Sequence, residues 1–376
     1  RFQVLRQVKA DQLLNIAKKD ASGAWDYKAG HVAPKPLLTN ISAPPAPGAK
    51  NSSLLVHTEN AFNDFDQQPL LLNYLSRRGP CMAKADVNGD GLDDLYVGGS
   101  KGHPGRLLLQ SKTGAFISAH AMAIEKDSLA DDGAALFFDA NGDGHPDLFV
   151  AAGGYELEGN NPLLQPRLYL NDGKGHFNLA VKALPNLLLN ASCAAAADVD
   201  GDGALDLFIG GRVLPGKYPL SPGSKLLHND GKGHFTDETA HVAPVLDSLG
   251  MVTDAVWIDL NKDKKPDLVL VGEWMPVKVF INKDGSLKDA SSQYIKFPST
   301  GWWNRITVAD LNGDGSPDLV LGNQGTNNQF IASADRPLTL YYKDFNHNGT
   351  INPVIISATP LTPRHPGMTL PRRSPF

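Results

Sequence analysis

The stretch Asp139-Ala140-Asn141-Gly142-Asp143-Gly144-His145-Pro146-Asp147-Leu148-Phe149-Val150 sets oxygen-bearing side chains at positions 1, 3, 5 and 9 of a loop. A carboxylate or amide at every second residue, on a chain turning about a point, encloses a hard cation. The backbone carbonyl at position 7 and water can complete the shell. That ligand set suits calcium. Gly144, at position 6, permits the sharp turn that a side chain would obstruct.

The pattern recurs along the chain. The first copy is Asp86, Asn88, Asp90 and Asp94, and the second is Asp139, Asn141, Asp143 and Asp147. The third is Asp198, Asp200, Asp202 and Asp206, and the fourth is Asp259, Asn261, Asp263 and Asp267. The fifth is Asp310, Asn312, Asp314 and Asp318. A weaker sixth copy, Asp344, Asn346, Asn348 and Asn352, carries fewer charges. The position-7 carbonyls belong to Leu92, His145, Ala204, Lys265, Ser316 and Thr350. The expectation is five strong calcium sites and one weak one. Lys264 replaces the position-6 glycine in the fourth loop, which weakens that site. The five strong loops start 53, 59, 61 and 51 residues apart, a spacing that points to stacked or radially arranged units.

These loops are not EF-hands, which need a bidentate Glu at position 12 and flanking helices. Position 12 is instead apolar: Val97, Val150, Ile209, Leu270 and Leu321. Each closes a short β-rich run such as Leu207-Phe208-Ile209, which reads as a strand buried on both faces. Hairpin signals follow, as in Leu170-Asn171-Asp172-Gly173 and His228-Asn229-Asp230-Gly231. Four strands per repeat is the dimension of a propeller blade, and neighbouring blades would cover both faces of each small sheet. The predicted fold is therefore all-β: a seven-bladed β-propeller, with five to six blades evident and the ring unfinished at the C-terminal end. The metal would staple the two inner strands of each blade.

Residues 23–50 are rich in Pro and Gly and read as a linker after a segment at 1–22. The propeller is predicted over 51–356, where 51–80 lead into the first repeat and could supply a closing outer strand. A Pro-rich irregular tail occupies 357–376. Net charge is −5, and 17 of the 40 acidic residues sit at positions 1, 3, 5 and 9 of the six loops, so the acidity is mainly that of metal sites. No basic stripe of the kind nucleic acid needs is present. No apolar run is long enough to span a membrane, and no signal peptide is visible ahead of Arg1. The chain reads as processed or as a piece of something longer. Cys81 and Cys193 lie five residues before their loops, at equivalent places in non-adjacent repeats, and read as free thiols far apart.

The loops resemble the FG-GAP, or VCBS, repeats of integrin-α-like propellers, over about residues 52–355. Gly210-Gly211-Arg212-Val213, Gly272-Glu273-Trp274-Met275-Pro276, Gly301-Trp302-Trp303-Asn304 and Gly322-Asn323-Gln324-Gly325 narrow the likeness. They look like proteins that join such a propeller to an ASPIC/UnbV domain, and residues 3–22 look like the tail of one. The resemblance implies bound calcium and an extracellular, cell-surface or periplasmic setting, within a longer secreted or outer-membrane lipid-anchored protein. It implies no established catalytic activity.

A ligand surface is expected where Arg212, Glu273, Trp274, Asn323 and Gln324 follow the second strands and converge near one rim. Trp302 or Trp303, with Asn304 and Arg305, could add an exposed aromatic face. Trp257 reads as core. The leading functional reading is a binding or assembly module for a protein or glycan. The alternatives are a polysaccharide-active enzyme, for which Glu273 and Asp254 would be the acid/base pair, and a purely structural segment.

Overall fold

The computed structural model describes residues 57–157, 159–325, 330, 332, 333 and 335–357. The expectations for 1–22, 23–50 and 358–376 lie outside the described residues. Three antiparallel four-stranded sheets and then a six-stranded one follow one another along the chain. Sheet 1 is β1 (Met82–Ala85), β2 (Asp94–Val97), β3 (Arg106–Gln110) and β4 (Phe116–Ser118). Sheet 2 is β5 (Asp132–Phe138), β6 (Asp147–Ala152), β7 (Arg167–Asn171) and β8 (Phe177–Leu179). Sheet 3 is β9 (Ala191–Ala197), β10 (Asp206–Gly211), β11 (Lys225–Asn229) and β12 (Phe235–Asp237). Sheet 4 is β13 (Met251–Ile258), β14 (Asp267–Met275), β15 (Lys278–Lys283) and β16 (Ser286–Asp289). A fifth pair, β17 (Gly301–Ala309) and β18 (Asp318–Asn323), joins sheet 4 through the β14–β17 pairing. The hairpin β19 (Thr339–Lys343) and β20 (Asn352–Ile356) stands separately.

Within each sheet the strands run in chain order, so every loop predicted to hold a cation joins a first strand to its second. The first strands lie side by side, β1 on β5, β5 on β9, β9 on β13 and β13 on β17. β9 is nearly all alanine, which suits strands that crowd together. The described residues contain four complete four-stranded units and a fifth pair, against the expectation of a seven-bladed propeller with five to six blades evident. β18 is only half-buried along its length, and among the described residues no further sheet covers its outer face.

The apolar runs divide between two cores by the period of the strand. Leu148 and Val150 face the core between sheets 1 and 2, with Tyr96, Leu107 and Tyr169. Phe149 and Ala151 face the next core, with Leu207, Ile209 and Leu227 of sheet 3. Phe208 turns the other way and meets Leu268, Leu270 and Phe280 of sheet 4. Val269 and Val271 continue the series against Ile306, Val308, Leu319 and Leu321. Accordingly β6 and β10 are buried at every position. Trp257 packs half-buried on the core shared with sheet 3 and donates to the Ala195 carbonyl at 3.2 Å.

The described part of the lead-in, 57–80, contributes a short helix, α1 (Asp64–Gln67), and no strand. It crosses the ends of the sheets opposite the Asp-rich loops and packs Leu71 and Leu75 on Tyr155, Val213, Tyr218 and Met251. Asp64, fully buried, accepts from the Leu75 and Ser76 amides and the Ser76 hydroxyl, which fixes the turn that follows. Gln68 donates to the carbonyls of Tyr218 and Ile351 and so ties this segment to two distant loops. The segment therefore seals rather than extends the sheets.

Candidate metal loops and central cavity

Each predicted loop closes around its own carboxylates. Asp139 at position 1 accepts from the amides of Gly142 at 2.8 Å and Gly144 at 2.9 Å. Asn141 accepts from the Asp143 amide at 3.0 Å, and Asp143 from the His145 amide at 2.9 Å. Asp147 at position 9 accepts from Ala140 with one oxygen at 3.0 Å, and from Asn171 of β7 with the other at 2.8 Å. The bonds from position 9 recur at Asp94, Asp206 and Asp267. Asp318 keeps only the first, from Leu311, because no third strand of its sheet is described. In the sixth loop Asp344 and Asn348 keep their turn bonds, but Asn352 donates to the Thr350 carbonyl instead.

The glycine signal is double. Positions 4 and 6 both take positive φ, as at Gly142 (75°) and Gly144 (81°). The fourth loop forces Lys262 and Lys264 into the same region at 63° and 67°, and the sixth forces His347 there at 57°. Each such residue costs about 1 kcal/mol or more. The sequence reading weighed position 6 alone.

The donor set fits a hard cation. Carboxylate oxygens of Asp198, Asp200 and Asp202 lie within 4.8 Å of one another. The four position-9 aspartates 94, 147, 206 and 267 are buried. Burial, and then the neighbouring loop carboxylates, push their pKa values up, to about 6 at Asp147. A bound cation would remove that repulsion. The third loop has an extra neighbour: His228 sets Nδ1 3.2 Å from Asp206 and 3.4 Å from Asp200. The sequence reading did not weigh this histidine.

It also missed the ties between loops. Asn171 and Asn229 end the third strands of sheets 2 and 3, and Asn282 is next to last in that of sheet 4. Each extends its side-chain amide to position 2 of the preceding loop: Asn171 to Val87, Asn229 to Ala140 and Asn282 to Val199, at 2.7 to 2.9 Å. Asn-Asp-Gly at 171–173 and 229–231, and Asn282-Lys283-Asp284-Gly285 in the fourth repeat, carry that signal. One asparagine thus joins two successive loops, because its own N–H also binds the position-9 carboxylate.

At the opposite end, the first strands and residues 73–82 surround a cavity of about 620 Å³. Arg78, Arg212, Arg305, Asn304, Asp131 and Asp254 are among its lining residues. Both cysteines line it as free thiols, with Cys81 under Gly98 and Cys193 under Gly210, where any Cβ would strike sulfur at 2.4 Å. The structure brings Arg212 and Glu273 together, at 2.6 Å, and adds Arg78 to the same oxygen at 2.9 Å. Burial pushes the Glu273 pKa up, but the Arg212 and Arg78 guanidiniums outweigh it and hold the carboxyl below its ordinary value. Trp274 stacks on Trp302 with ring centres 5.7 Å apart and donates to the Tyr218 hydroxyl at 2.6 Å.

Asn323 and Gln324 lie one strand pair further on. Asn323 is exposed, and the Gln324 amide donates to Trp302. Neither Trp302 nor Trp303 is exposed, contrary to the expectation of an open aromatic face. Trp303 packs against sheet 4 and donates to the Ser299 carbonyl at 2.7 Å, so its rim faces protein. Asp254 accepts from the Ala255 and Ile306 amides, and Glu273 is held by arginines, so both carboxylates have structural bonds.

Asp131 is the odd acid of the cavity. Burial, then Glu156, Glu59 and Asp132, raise its pKa to about 8. A carboxyl raised in the folded state binds a proton that the unfolded chain has lost, so it lowers stability as pH rises from about 4 to 8. Asp131→Asn is expected to raise the thermal midpoint at pH 8, to change little at pH 5, and to flatten the decline between them. Thermal scans across that range check it.

Comparison with curated proteins finds no match. Among solved structures, the crystal structure of the V. cholerae biofilm matrix protein Bap1 aligns at 18% identity with a TM-score of 0.30. The alignment covers 65% of this chain and 34% of that one, so this chain spans about a third of its length. A family model described as FG-GAP-like repeat matches residues 86–150, 139–209 and 259–321. Each match starts at position 1 of one loop and ends on the strand leaving the next, and together they include all five strong loops. The chain carries FG-GAP-like repeats.

Proposed function

We propose that the chain is a calcium-stapled β-propeller module of an extracellular or cell-surface protein. Its metal loops hold one rim, and its central cavity presents a binding site for a protein or glycan. The observation that carries this reading is the recurrence of one oxygen-lined loop around buried position-9 carboxylates. Burial and the neighbouring loop carboxylates disfavour the charged form of all four buried aspartates, and a bound cation would offset both. Loops this open suit the millimolar calcium outside a cell. Nothing specific favours the enzyme reading, because Glu273 and Asp254 are already committed to structural bonds.

Calorimetric titration of the metal-free chain tests it. Calcium uptake at the five strong loops is expected, with the fourth weakened by its two strained lysines and the sixth weakest for want of charge. Asp143→Ala should remove one site and leave the others. Absence of calcium-dependent heat at millimolar concentration would overturn the reading.

A further inference from the structure

We propose that the central cavity binds a small sugar acid, with its carboxylate on the Arg78–Arg212 pair. The inference rests on the binding-module reading and goes beyond it by naming the chemistry. Two guanidiniums share the single carboxylate of Glu273, through one oxygen. The trio therefore carries one uncompensated positive charge. Arg212 lines the cavity and is 5% exposed, yet its Nη1 finds no acceptor among the described residues. A buried donor left without a partner costs about 1–3 kcal/mol, more when it is charged. A ligand carboxylate supplies the missing charge and acceptors, and guanidinium forks match it in shape.

The other acids of the cavity do not fill this role. Asp132 is bound by Arg167 at 2.5 Å, and Asp254 is bound by backbone amides with Arg305 at 3.8 Å. The rest of the lining is suited to hydroxyl groups. Asn190, Ser192 and Asn304 line the cavity; the Asn190 amide and the Ser192 hydroxyl donate to the Gly154 and Val252 carbonyls and keep their oxygens as acceptors, and Asp131 keeps an oxygen without a partner. A volume of about 620 Å³ admits a ligand the size of a sugar. Trp274 and Trp302 pack on each other at a tilt of 38° beside Glu273, and the Tyr74 ring in the lining already carries the Arg77 guanidinium at 4.3 Å, so neither offers a neutral ring a free aromatic face. Recognition therefore falls to charge and hydrogen bonds.

The test uses the calcium-loaded chain with glucuronate, glucose and acetate in parallel calorimetric titrations. Glucuronate is expected to bind about ten-fold or more tighter than glucose, and tighter than acetate, because it alone offers both the carboxylate and the hydroxyls. Arg212→Lys keeps the buried charge but loses the fork, and should weaken glucuronate about ten-fold. Asn304→Ala, at a side chain with no described bond to break, should weaken it less and leave the thermal midpoint unchanged. Equal binding of glucose and glucuronate would overturn the carboxylate assignment and leave the binding-module reading standing. No binding of any of the three at millimolar concentration would overturn the proposal, while the calcium titration would still judge the module itself. Full glucuronate affinity in folded Arg212→Lys and Asn304→Ala would place the ligand elsewhere and overturn it too.

Discussion

Asp147→Ala is expected to destabilise the protein by about 3–5 kcal/mol even in chelator, where there is no metal left to lose. The Asp147 carboxylate is fully buried and serves two backbone amides, Ala140 in the loop and Asn171 on the third strand. Alanine leaves both donors buried without an acceptor. It also loosens Asn171, whose side chain holds the preceding loop through Val87. The damage should thus reach two sheets. Asp147→Asn keeps one oxygen and should cost less. Asp143→Ala, at an exposed position, should cost little in chelator, though it removes a metal ligand in the proposed site. Urea unfolding of the three variants in chelator gives the ranking. A loss under about 1 kcal/mol for Asp147→Ala would mean that the loop does not depend on this carboxylate.

Glu273→Ala is the second large effect, also expected at about 3–5 kcal/mol, because it breaks a buried ion pair from one side. It leaves the Arg212 guanidinium 5% exposed with no carboxylate, and facing Arg78. The pH dependence follows from the sign of the shift. Glu273 is held below the ordinary glutamate value by Arg212 and Arg78 against the upward push of burial. Its stabilisation is therefore complete above the unfolded pKa of about 4.3 and is lost as pH falls through the lower folded value. The gap between wild type and Glu273→Ala should stay constant from pH 6 to 8 and narrow only in acid. Glu273→Gln retains the shape and one acceptor, and should lose less. Denaturant midpoints across this pH range decide it, and a gap that closes near neutrality would contradict the assignment.

What was legible in the sequence was local. The loops are spelled within nine residues, and the strands follow from apolar runs whose alternate members face two cores, as Leu148 and Phe149 do. The hairpins follow from Asp-Gly. What was not legible joins distant parts of the chain. Arg78 is 195 residues from Glu273, and Arg212 is 61, so nothing in the spacing announces that they share one oxygen. The asparagine ties span 83 to 89 residues. Alternation along an extended strand suggested that Trp302 or Trp303 would be exposed, but Trp274 and the neighbouring sheet cover both. The segment 57–80 has strand-like apolar residues, yet Asp64 and Gln68 spend their polar groups on turns and distant loops, and it becomes a cover.

The central claim is that cations staple the metal loops. It is tested most directly by thermal unfolding of the chain in millimolar calcium and in chelator. Each site filled at 100 times its dissociation constant adds about 2.7 kcal/mol, so several sites should raise the midpoint by about 10 °C or more in calcium. Midpoints that agree within about 1 °C would contradict the claim, since binding confined to the folded state must raise stability.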